Sequence, residues 1–341
     1  MKLSKLADEC IKHLTTFRDY SPNTTTQYDT TYRQYVAYLL THELTDDVRH
    51  FTDETVMAFA EWLAGQHGVH PNTVRHRLTG LSTLAKFAMR ARDDRGRPRL
   101  DHNPTERFDW PQYRRPATRF LYRDELRAFL GCTVTLHEGV ARALFVETGL
   151  RVSELIRANV EDLVAASEGR GSLSVTVKGR GRQTERVHVP LSAETVGLLK
   201  DWLLHRNMPR AKDPLLVSSL GKRWTRPGIT EMIRRLGERA EITRLPVRPH
   251  VLRHTANVIA RAAGLDPFVR SRLLNHQSPQ SLERYEHLIP EELHQARERT
   301  RDALSRYLGN TPASMSPVYD ARPDPLSETL RKDRNSSYDE P

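Results

Sequence analysis

Cysteine and long apolar runs are the first things this sequence lacks. The 341-residue chain contains two cysteines, Cys10 and Cys132. Two cysteines so far apart form neither a disulfide framework nor the paired spacing of a zinc site. No segment approaches the roughly 20 apolar residues that a membrane-spanning helix needs, and the first residues lack the apolar run of a signal peptide. These absences predict a cytoplasmic protein in a reducing compartment, without a membrane partner.

Nucleotide and metal motifs are also missing. The sequence has no GxxxxGK[ST] loop and no GxGxxG fingerprint, and the "KGRGR" stretch lies between two strand patterns, so it is a weak phosphate-loop candidate. His250 and His254 have the i, i+4 spacing of metal ligands, but no nearby cysteine or HExxH glutamate supplies a third strong ligand. We therefore expect no cofactor and no metal.

Basic residues are in surplus. The chain has 53 Lys and Arg residues against 43 Asp and Glu residues, which gives a net charge of +10. Such a surplus favours a polyanionic partner, and nucleic acid is the usual one. A soluble protein that happens to be basic has the same composition, and composition alone does not separate the two interpretations. The many arginines suit forked contacts to phosphate.

Residues 1–100 have the patterns of a helical domain. Ser21 followed by Pro22 is typical of a helix start, and Thr52 followed by carboxylates begins another. Apolar residues at helical spacing predict the buried faces. One helix leaves a basic face for solvent or for DNA phosphates, and its residues are Arg75, Arg77, Lys86 and Arg90.

Residues 101–120 are rich in charge and interrupted by Pro104, Pro111 and Pro116, which predicts a linker of mostly extended chain. A second domain is expected over residues 121–308. It has helical patterns and two alternating runs, "SLSVTV" and "TERVHVPL", that predict a β-hairpin, and "DPLLVSS" is a candidate short strand. Residues 309–341, with four basic and six acidic groups, are expected to be a disordered tail. The predicted fold class is mainly α with a small antiparallel β-sheet.

Three short stretches carry reactive side chains. They are "TGLRVSEL", "VRPHVLRHTAN" and "LLNHQSPQSLERYEHL". Taken singly, each has an ordinary explanation: Arg151 and Glu154 could form a surface ion pair, and Tyr285 could be a core residue. Taken together with the lysine of the hairpin, they match what a metal-free attack on a phosphodiester needs. Arginine forks can hold the charged oxygens, tyrosine can attack, and lysine or histidine can move protons.

The ordered set of these residues resembles the tyrosine recombinases of the integrase type, the family of phage integrases, Xer proteins and Cre. The resemblance covers about residues 5–300. It implies that Tyr285 is the nucleophile and that Glu154 and His254 support the site. The catalytic residues that it implies are Arg151, Lys178, His250, Arg253, His276 and Tyr285.

Two positions depart from the family pattern. Asn275 stands where the family usually has glycine before the second histidine. The hairpin is slightly long, so Arg180 or Arg182 competes with Lys178 for the matching position, although a guanidinium does not readily donate a proton. Arg180 and Arg182 are also candidate DNA contacts.

The resemblance further implies an architecture and partners. It implies a SAM-like helical core-binding domain followed by a catalytic domain, closing as a clamp on double-stranded DNA at short core sites. Four protomers would act on two DNA sites through a Holliday junction, in the nucleoid of a bacterial-type cell, with accessory proteins or a partner recombinase as further partners. The helix Glu291–Leu308 would dock on a neighbouring protomer, or else pack on its own domain.

Three rival functions remain. A type IB topoisomerase uses the same chemistry without strand exchange, and a DNA-binding regulator could use the fold without catalysis. A metal-dependent nuclease is disfavoured because no carboxylate pair stands out. The amino-acid sequence does not give the DNA target sequence, because base contacts depend on helix placement. It also leaves the biological role open among DNA integration and excision, transposition and resolution.

Overall fold

The computed structural model describes residues 1–66, 68–107, 109–113, 118–165, 171–178, 184–274 and 290–308. It divides into two units, with the described residues up to 113 in the first and those from 118 onward in the second. In the described ranges, every helix is too short or too polar to cross a membrane.

Local sequence signals account for the helices of the first unit. The side-chain oxygen of Ser21 accepts a hydrogen bond from the Thr24 amide, with Pro22 at the first helical position. Thr52 and Thr55 form a reciprocal capping box at the start of the third helix. The helices are α1 (Leu3–Thr16), α2 (Pro22–Thr41), α3 (Asp53–Gly65) and α4 (Pro71–Arg90).

The core of the first unit contains the stripes that the sequence predicts. Tyr32, Tyr35 and Leu39 of α2 are buried, and the Tyr35 hydroxyl hydrogen-bonds with the Thr55 hydroxyl at 2.7 Å. A polar end on a buried aromatic ring needs such a partner. The buried face of α4 is the expected one, made by Leu78, Leu81, Leu84 and Ala88.

Part of the expected linker packs on α4. Asn103 is buried and donates from Nδ2 to the Ser82 hydroxyl at 3.0 Å. Trp110 donates from its indole nitrogen to the Thr105 carbonyl at 2.7 Å. These side chains satisfy polar groups that a free linker would leave to water, so residues 103–107 and 109–110 belong structurally to the first unit. The domain limits themselves stay a prediction.

The second unit is mostly helical with a small antiparallel sheet, which confirms the predicted fold class. Its helices are α5 (Arg123–Gly131), α6 (Leu136–Thr148), α7 (Val152–Leu155), α8 (Ala193–His205), α9 (Arg226–Arg239), α10 (Pro249–Ala262), α11 (Pro267–Leu273) and α12 (Pro290–Leu308). Its strands are β1 (Leu163–Ala165), β2 (Gly171–Lys178) and β3 (Thr184–Leu191), in the order β1-β2-β3.

The sheet contains the predicted hairpin and one strand that was not predicted. β2 and β3 pair antiparallel from Gly171 opposite Leu191 to Lys178 opposite Thr184. β1 is a three-residue strand, too short for a period-2 pattern to reveal it. The prediction of a strand at "DPLLVSS" was wrong. In this segment Pro214 and Val217 form isolated bridges and not a continuous strand.

Helix α6 is the centre of the second unit. Every residue from Gly139 to Thr148 is buried, which is the pattern of a helix surrounded by other elements. It ends at Gly149 in the left-handed conformation (φ 59°), the usual backbone geometry of a glycine that ends a helix. The chain therefore leaves the core sharply just before Arg151.

Helix α12 packs on its own unit, on α10, α11, α5 and β3. Its buried face includes Ala296, Thr300 and Leu304, at helical spacing. The resemblance implied docking on a neighbouring protomer, with packing on the same domain as the alternative, and this structure has the second arrangement. The apolar stripe of α12 is complementary to the core that the chain itself provides.

A glycine on α9 allows the chain before α10 to approach closely. A Cβ atom at Gly237 would lie 2.5 Å from Val247 Cγ2 and 2.6 Å from Val247 Cβ. We expect Gly237→Ala to lower the free energy of unfolding by about 1–3 kcal/mol, because overpacking outweighs the gain in helix propensity. Urea unfolding of the full chain measures the change.

Gly197, inside α8, is the matched control, because nothing lies within 4 Å of a Cβ built there. Gly197→Ala should be neutral or stabilising by up to about 1 kcal/mol, since only helix propensity changes. Equal effects of the two substitutions would contradict the packing argument.

Candidate active site

Three chain segments meet at Gly149. A Cβ atom at this glycine would lie 3.1 Å from Ala256 Cβ on α10 and 3.1 Å from Leu274 Cδ2, just after α11. The backbone of the α6–α7 turn can therefore approach α10 only because residue 149 has no side chain. This contact brings the first two of the three reactive stretches together, and Leu274 is the second residue of the third.

Arg151 lies at the N-cap of α7 and is paired with Glu154. Its amide donates to Glu154 Oε2 at 2.8 Å, and its Nη1 donates to Glu154 Oε1 at 2.7 Å. The Glu154 side chain is only 4% exposed, whereas that of Arg151 is 43% exposed. The pair is therefore anchored at its acidic end, so the alternative of a wholly exposed surface ion pair does not describe it. Glu154 fixes the backbone and the guanidinium of Arg151 together.

Arg253 of α10 is hydrogen-bonded to the backbone of the same turn. Its side chain is 6% exposed, and its Nη1 donates to the Gly149 carbonyl oxygen at 2.7 Å. Burial, helped by the positive charge of Arg151, lowers the pKa of Arg253 to about 10, while Glu154 opposes this shift. The guanidinium stays charged at pH 7, so two cations lie beside the α6–α7 turn.

His250 and His254 lie on successive turns of α10. Their Nε2 atoms are 3.0 Å apart. Burial lowers the pKa of both imidazoles; Arg253 and Arg151 lower the pKa of His250 further, and His250 and Arg253 that of His254. Since the ordinary pKa of histidine is about 6.5, both rings are neutral at pH 7.

Of Lys178 the structure describes only the backbone, and several other predicted site residues lie outside the described residues. Lys178 is the last residue of β2, and its backbone pairs with Thr184. The structure therefore brings Arg151, His250 and Arg253 together, with Glu154 and His254 as their direct partners. The predicted residues outside the described ranges are His276, Tyr285, Arg180 and Arg182, together with the unusual Asn275.

The four basic residues predicted on one face of α4 differ in exposure: two are half-buried and hydrogen-bonded, and two are exposed. Arg75 lies over the Trp110 ring at 5.4 Å and donates to the Pro111 carbonyl at 3.2 Å. Arg77 donates to the Thr31 hydroxyl at 3.1 Å. Both are half-buried and stabilise the first unit, whereas Lys86 and Arg90 are exposed.

Two residues that position the site were not identified from the sequence. Thr255 accepts a hydrogen bond from the Leu121 amide at 2.9 Å, which ties the start of the second unit to α10. Arg297 of α12 is 1% exposed and donates from Nε to the Pro190 carbonyl at 3.0 Å. A signal existed for Arg297, because it lies at helical spacing from Thr300, Arg301 and Leu304 on the buried face. Thr255 gave no local signal.

Within the parts of the chain that the structure describes, no group of three or more His, Cys, Asp and Glu side chains is arranged to hold a metal ion. His250 and His254 are thus a pair and not part of a larger cluster there.

Comparisons with known proteins show the family of the chain. The model of the phage integrase family matches residues 119–292. The chain is 26% identical over 300 residues to tyrosine recombinase XerC of Listeria welshimeri, covering 85% of this chain and 95% of the relative. It is 26% identical over 282 residues to tyrosine recombinase XerD of Oceanobacillus iheyensis, covering 80% and 89%.

Solved structures show the same fold. XerH site-specific recombinase bound to palindromic difH substrate aligns with a TM-score of 0.63 and 18% identity, over 91% of this chain and 84% of that one. A lambda integrase dimer bound to a COC' core site aligns with a TM-score of 0.63 and 16% identity, over 82% and 96%.

The family match and the named relatives show an enzyme of the tyrosine recombinase class. The chain belongs to the phage integrase family, whose model matches residues 119–292. The resemblance predicted from the ordered motifs is thereby confirmed.

Proposed function

We propose that this chain cleaves and rejoins duplex DNA at specific sites through a covalent 3′-phosphotyrosyl intermediate on Tyr285. The observation that carries the proposal is the convergence of Arg151, Arg253 and His250 around Gly149. Two fixed cations beside a neutral imidazole are suited to a phosphodiester, whose non-bridging oxygens gain negative charge in the transition state.

The two arginines have different tasks in this proposal. Arg253 is buried and held by the Gly149 carbonyl, so its guanidinium is preorganised before DNA arrives. Arg151 is more exposed and keeps its orientation through Glu154. A guanidinium carries five N–H donors in a planar fork, a geometry that suits phosphate oxygens. Charge stabilisation of the transition state then needs no metal ion.

Tyr285, Lys178 and His276 complete the chemistry on the strength of the motif order. Tyrosine attack breaks the bond between phosphorus and the 5′ oxygen and forms one between phosphorus and the tyrosine oxygen. Lysine supplies the proton that the 5′ oxygen needs, and His276 holds a phosphate oxygen. The phosphotyrosyl link conserves the energy of the broken bond, so a second 5′ hydroxyl reverses the step without ATP.

Double-stranded DNA is the proposed partner of both units, at the bacterial nucleoid. The first unit (core-binding) and the second (catalytic) would each contact one short core site, with four protomers on two sites and a Holliday junction between two rounds of exchange. A solved structure of the same fold supports this proposal: it is a lambda integrase tetramer bound to a Holliday junction, 15% identical to this chain. The biological role of the chain (integration and excision, transposition or resolution) determines whether accessory proteins or a second recombinase also take part.

The test is covalent trapping on a nicked suicide substrate made from DNA that flanks its own gene, with EDTA present. Wild-type protein should give a protein–DNA band on a denaturing gel. Tyr285→Phe should bind the same DNA and give no band, because phenylalanine has no nucleophilic oxygen.

The controls separate the rival functions. Binding without a wild-type band on any flanking DNA would favour a regulator. A band that persists in Tyr285→Phe would mean that another residue is the nucleophile. Relaxation of supercoiled DNA that lacks the site would favour a topoisomerase, and cleavage abolished by EDTA would favour a metal-dependent nuclease.

Lys86 and Arg90 on α4 should contribute to DNA affinity through phosphates, because both are exposed. The double variant Lys86→Ala/Arg90→Ala should weaken binding and lower the slope of log K against log salt by up to about 2, since each phosphate contact contributes about 0.9. Binding titrations at several salt concentrations measure the slope.

Arg75→Ala is the contrasting variant, which should chiefly lower stability because Arg75 binds Trp110 and Pro111. An unchanged slope in the double variant Lys86→Ala/Arg90→Ala would rule out this face of α4 as a DNA contact.

A further inference from the structure

His250 and His254 form a hydrogen-bonded pair. Their Nε2 atoms lie 3.0 Å apart, and their ring centroids are 4.3 Å apart at an interplanar angle of 71°. When both imidazoles are neutral, one Nε2 must donate and the other must accept. A single proton therefore lies between the rings, and each ring keeps Nδ1 for another partner.

The charges around the pair differ between its members. Arg253 on α10 and Arg151 on α7 both disfavour a positive charge on His250. The groups acting on His254 are His250 and Arg253, and Glu154 partly offsets the two arginines through its contact with Arg151. Arg151 and Arg253 both act on His250, whereas Arg253 is the arginine that acts on His254, so we expect a proton on the pair to favour His254.

We propose that His254 is the second stage of a proton relay that begins at His250. This inference rests on the proposed function. The hydroxyl that attacks phosphorus gives its proton to Nδ1 of His250. The proton between the rings moves from His250 Nε2 to His254 Nε2, so that His250 becomes neutral again and His254 carries the charge. In the reverse reaction both protons return. His254 acts through His250 and does not touch the reacting atoms.

Two amide substitutions separate a relay from simple positioning. Glutamine places its amide near the position of histidine Nε2, so His254→Gln can keep the hydrogen bond to His250 but cannot take up a proton. Asparagine is too short to reach that position. The relay predicts that His254→Gln and His254→Asn both slow single-turnover cleavage at least about tenfold, as expected for loss of a proton acceptor. DNA affinity should stay within about threefold.

A solvent-isotope proton inventory gives a readout that positioning alone would not change. Cleavage by the wild type should depend on the deuterium fraction with one more proton in flight than cleavage by His254→Gln, because the lysine proton moves to the 5′ oxygen in both proteins. His188→Gln, which alters an exposed histidine on β3, is the control and should retain the wild-type rate and inventory. A wild-type rate in His254→Gln, or the same number of protons in flight in both proteins, would overturn the relay.

A measurement without DNA keeps this inference distinct from the proposed function. In the full chain with 15N-labelled histidine, an NMR titration with EDTA present reports which ring of the pair takes the first proton. We expect His254 to be protonated first as the pH falls below 6.5. Protonation of His250 first would overturn the relay. If His254 is protonated first but no covalent complex forms with DNA, the proposed function fails and the charge preference of the pair stands.

Discussion

Arg253→Lys is expected to slow formation of the covalent protein–DNA complex by about 100-fold or more, because one preorganised donor to transition-state charge is typically worth 10²–10³ in rate. Arg253 has two tasks at once. Its Nη1 donates to the Gly149 carbonyl at 2.7 Å, and its planar guanidinium is also the proposed donor to the phosphate oxygens. A lysine ammonium on a single flexible stem cannot reproduce this fork.

Burial increases the expected effect. The Arg253 side chain is 6% exposed, and burial together with Arg151 lowers its pKa to about 10. A lysine at this position starts from a lower pKa of about 10.4, and the same surroundings would shift it towards the neutral form. The substitution therefore weakens both the geometry and the charge. We expect the cleavage rate of Arg253→Lys to recover partly as the pH is lowered from 9 to 7, because protonation of the lysine then increases.

Single-turnover cleavage on the suicide substrate, measured with DNA affinity, checks this prediction. DNA affinity should fall far less than the rate, because one buried residue is a small part of a wide phosphate interface. Arg261→Lys is the control, since Arg261 lies exposed near the end of the same helix, α10, and should keep the wild-type rate. A rate within threefold of wild type in Arg253→Lys would refute the assignment of Arg253 to the reacting phosphate.

The parts of the fold that depend on neighbouring residues were predictable from the sequence. Ser21 and Thr52 cap helices where expected, because a cap involves residues two or three positions apart. The β2–β3 hairpin was visible as two alternating runs. The motifs that contain Arg151, His250 and Arg253 could also be recognised, because each is a short local pattern. That the motifs meet in space depends on the fold.

Contacts between distant segments were not predictable. Leu121 lies 134 residues before Thr255, its hydrogen-bond partner, and neither residue has a local pattern that indicates the pair. The close approach of Gly149 to Ala256 likewise depends on how α6 and α10 pack. Such contacts arise from packing of whole helices, so a pattern of period 3.6 gives the buried face and not the partner.

Arg297→Met is expected to lower the free energy of unfolding of the second unit by about 3–5 kcal/mol, the usual cost of removing one partner of a buried charged pair. Arg297 is 1% exposed. Its Nε donates to the Pro190 carbonyl at 3.0 Å and lies 3.9 Å from Glu147 Oε1, and its Nη1 donates to the Glu147 carbonyl. It thus joins α12 to the end of β3 and to the last turn of α6, four residues before Arg151.

The carboxylate of Glu147 explains why the loss should be large but not complete. It accepts hydrogen bonds from the Ser192 amide at 2.7 Å and from the Ser192 hydroxyl at 2.8 Å, and also from the Thr195 hydroxyl. In Arg297→Met these bonds remain, but the negative charge has lost its buried cation, and the Pro190 carbonyl has lost its donor. For a unit of this size, each kcal/mol corresponds to about 2–4 °C in Tm, so a fall of about 6–12 °C or more is expected.

Arg299→Met provides the matched control, since Arg299 lies two residues away on the exposed face of α12 and should change stability by less than about 0.5 kcal/mol. The double variant Arg297→Met/Glu147→Gln should be more stable than the sum of the two single variants predicts, by about 0.5–3 kcal/mol, because the neutral amide no longer leaves a buried charge unpaired. Urea unfolding of all the variants measures both effects. If Arg297→Met were as stable as Arg299→Met, α12 would not be held on its own unit by this contact, and docking on a neighbouring protomer would become the better account of its buried face.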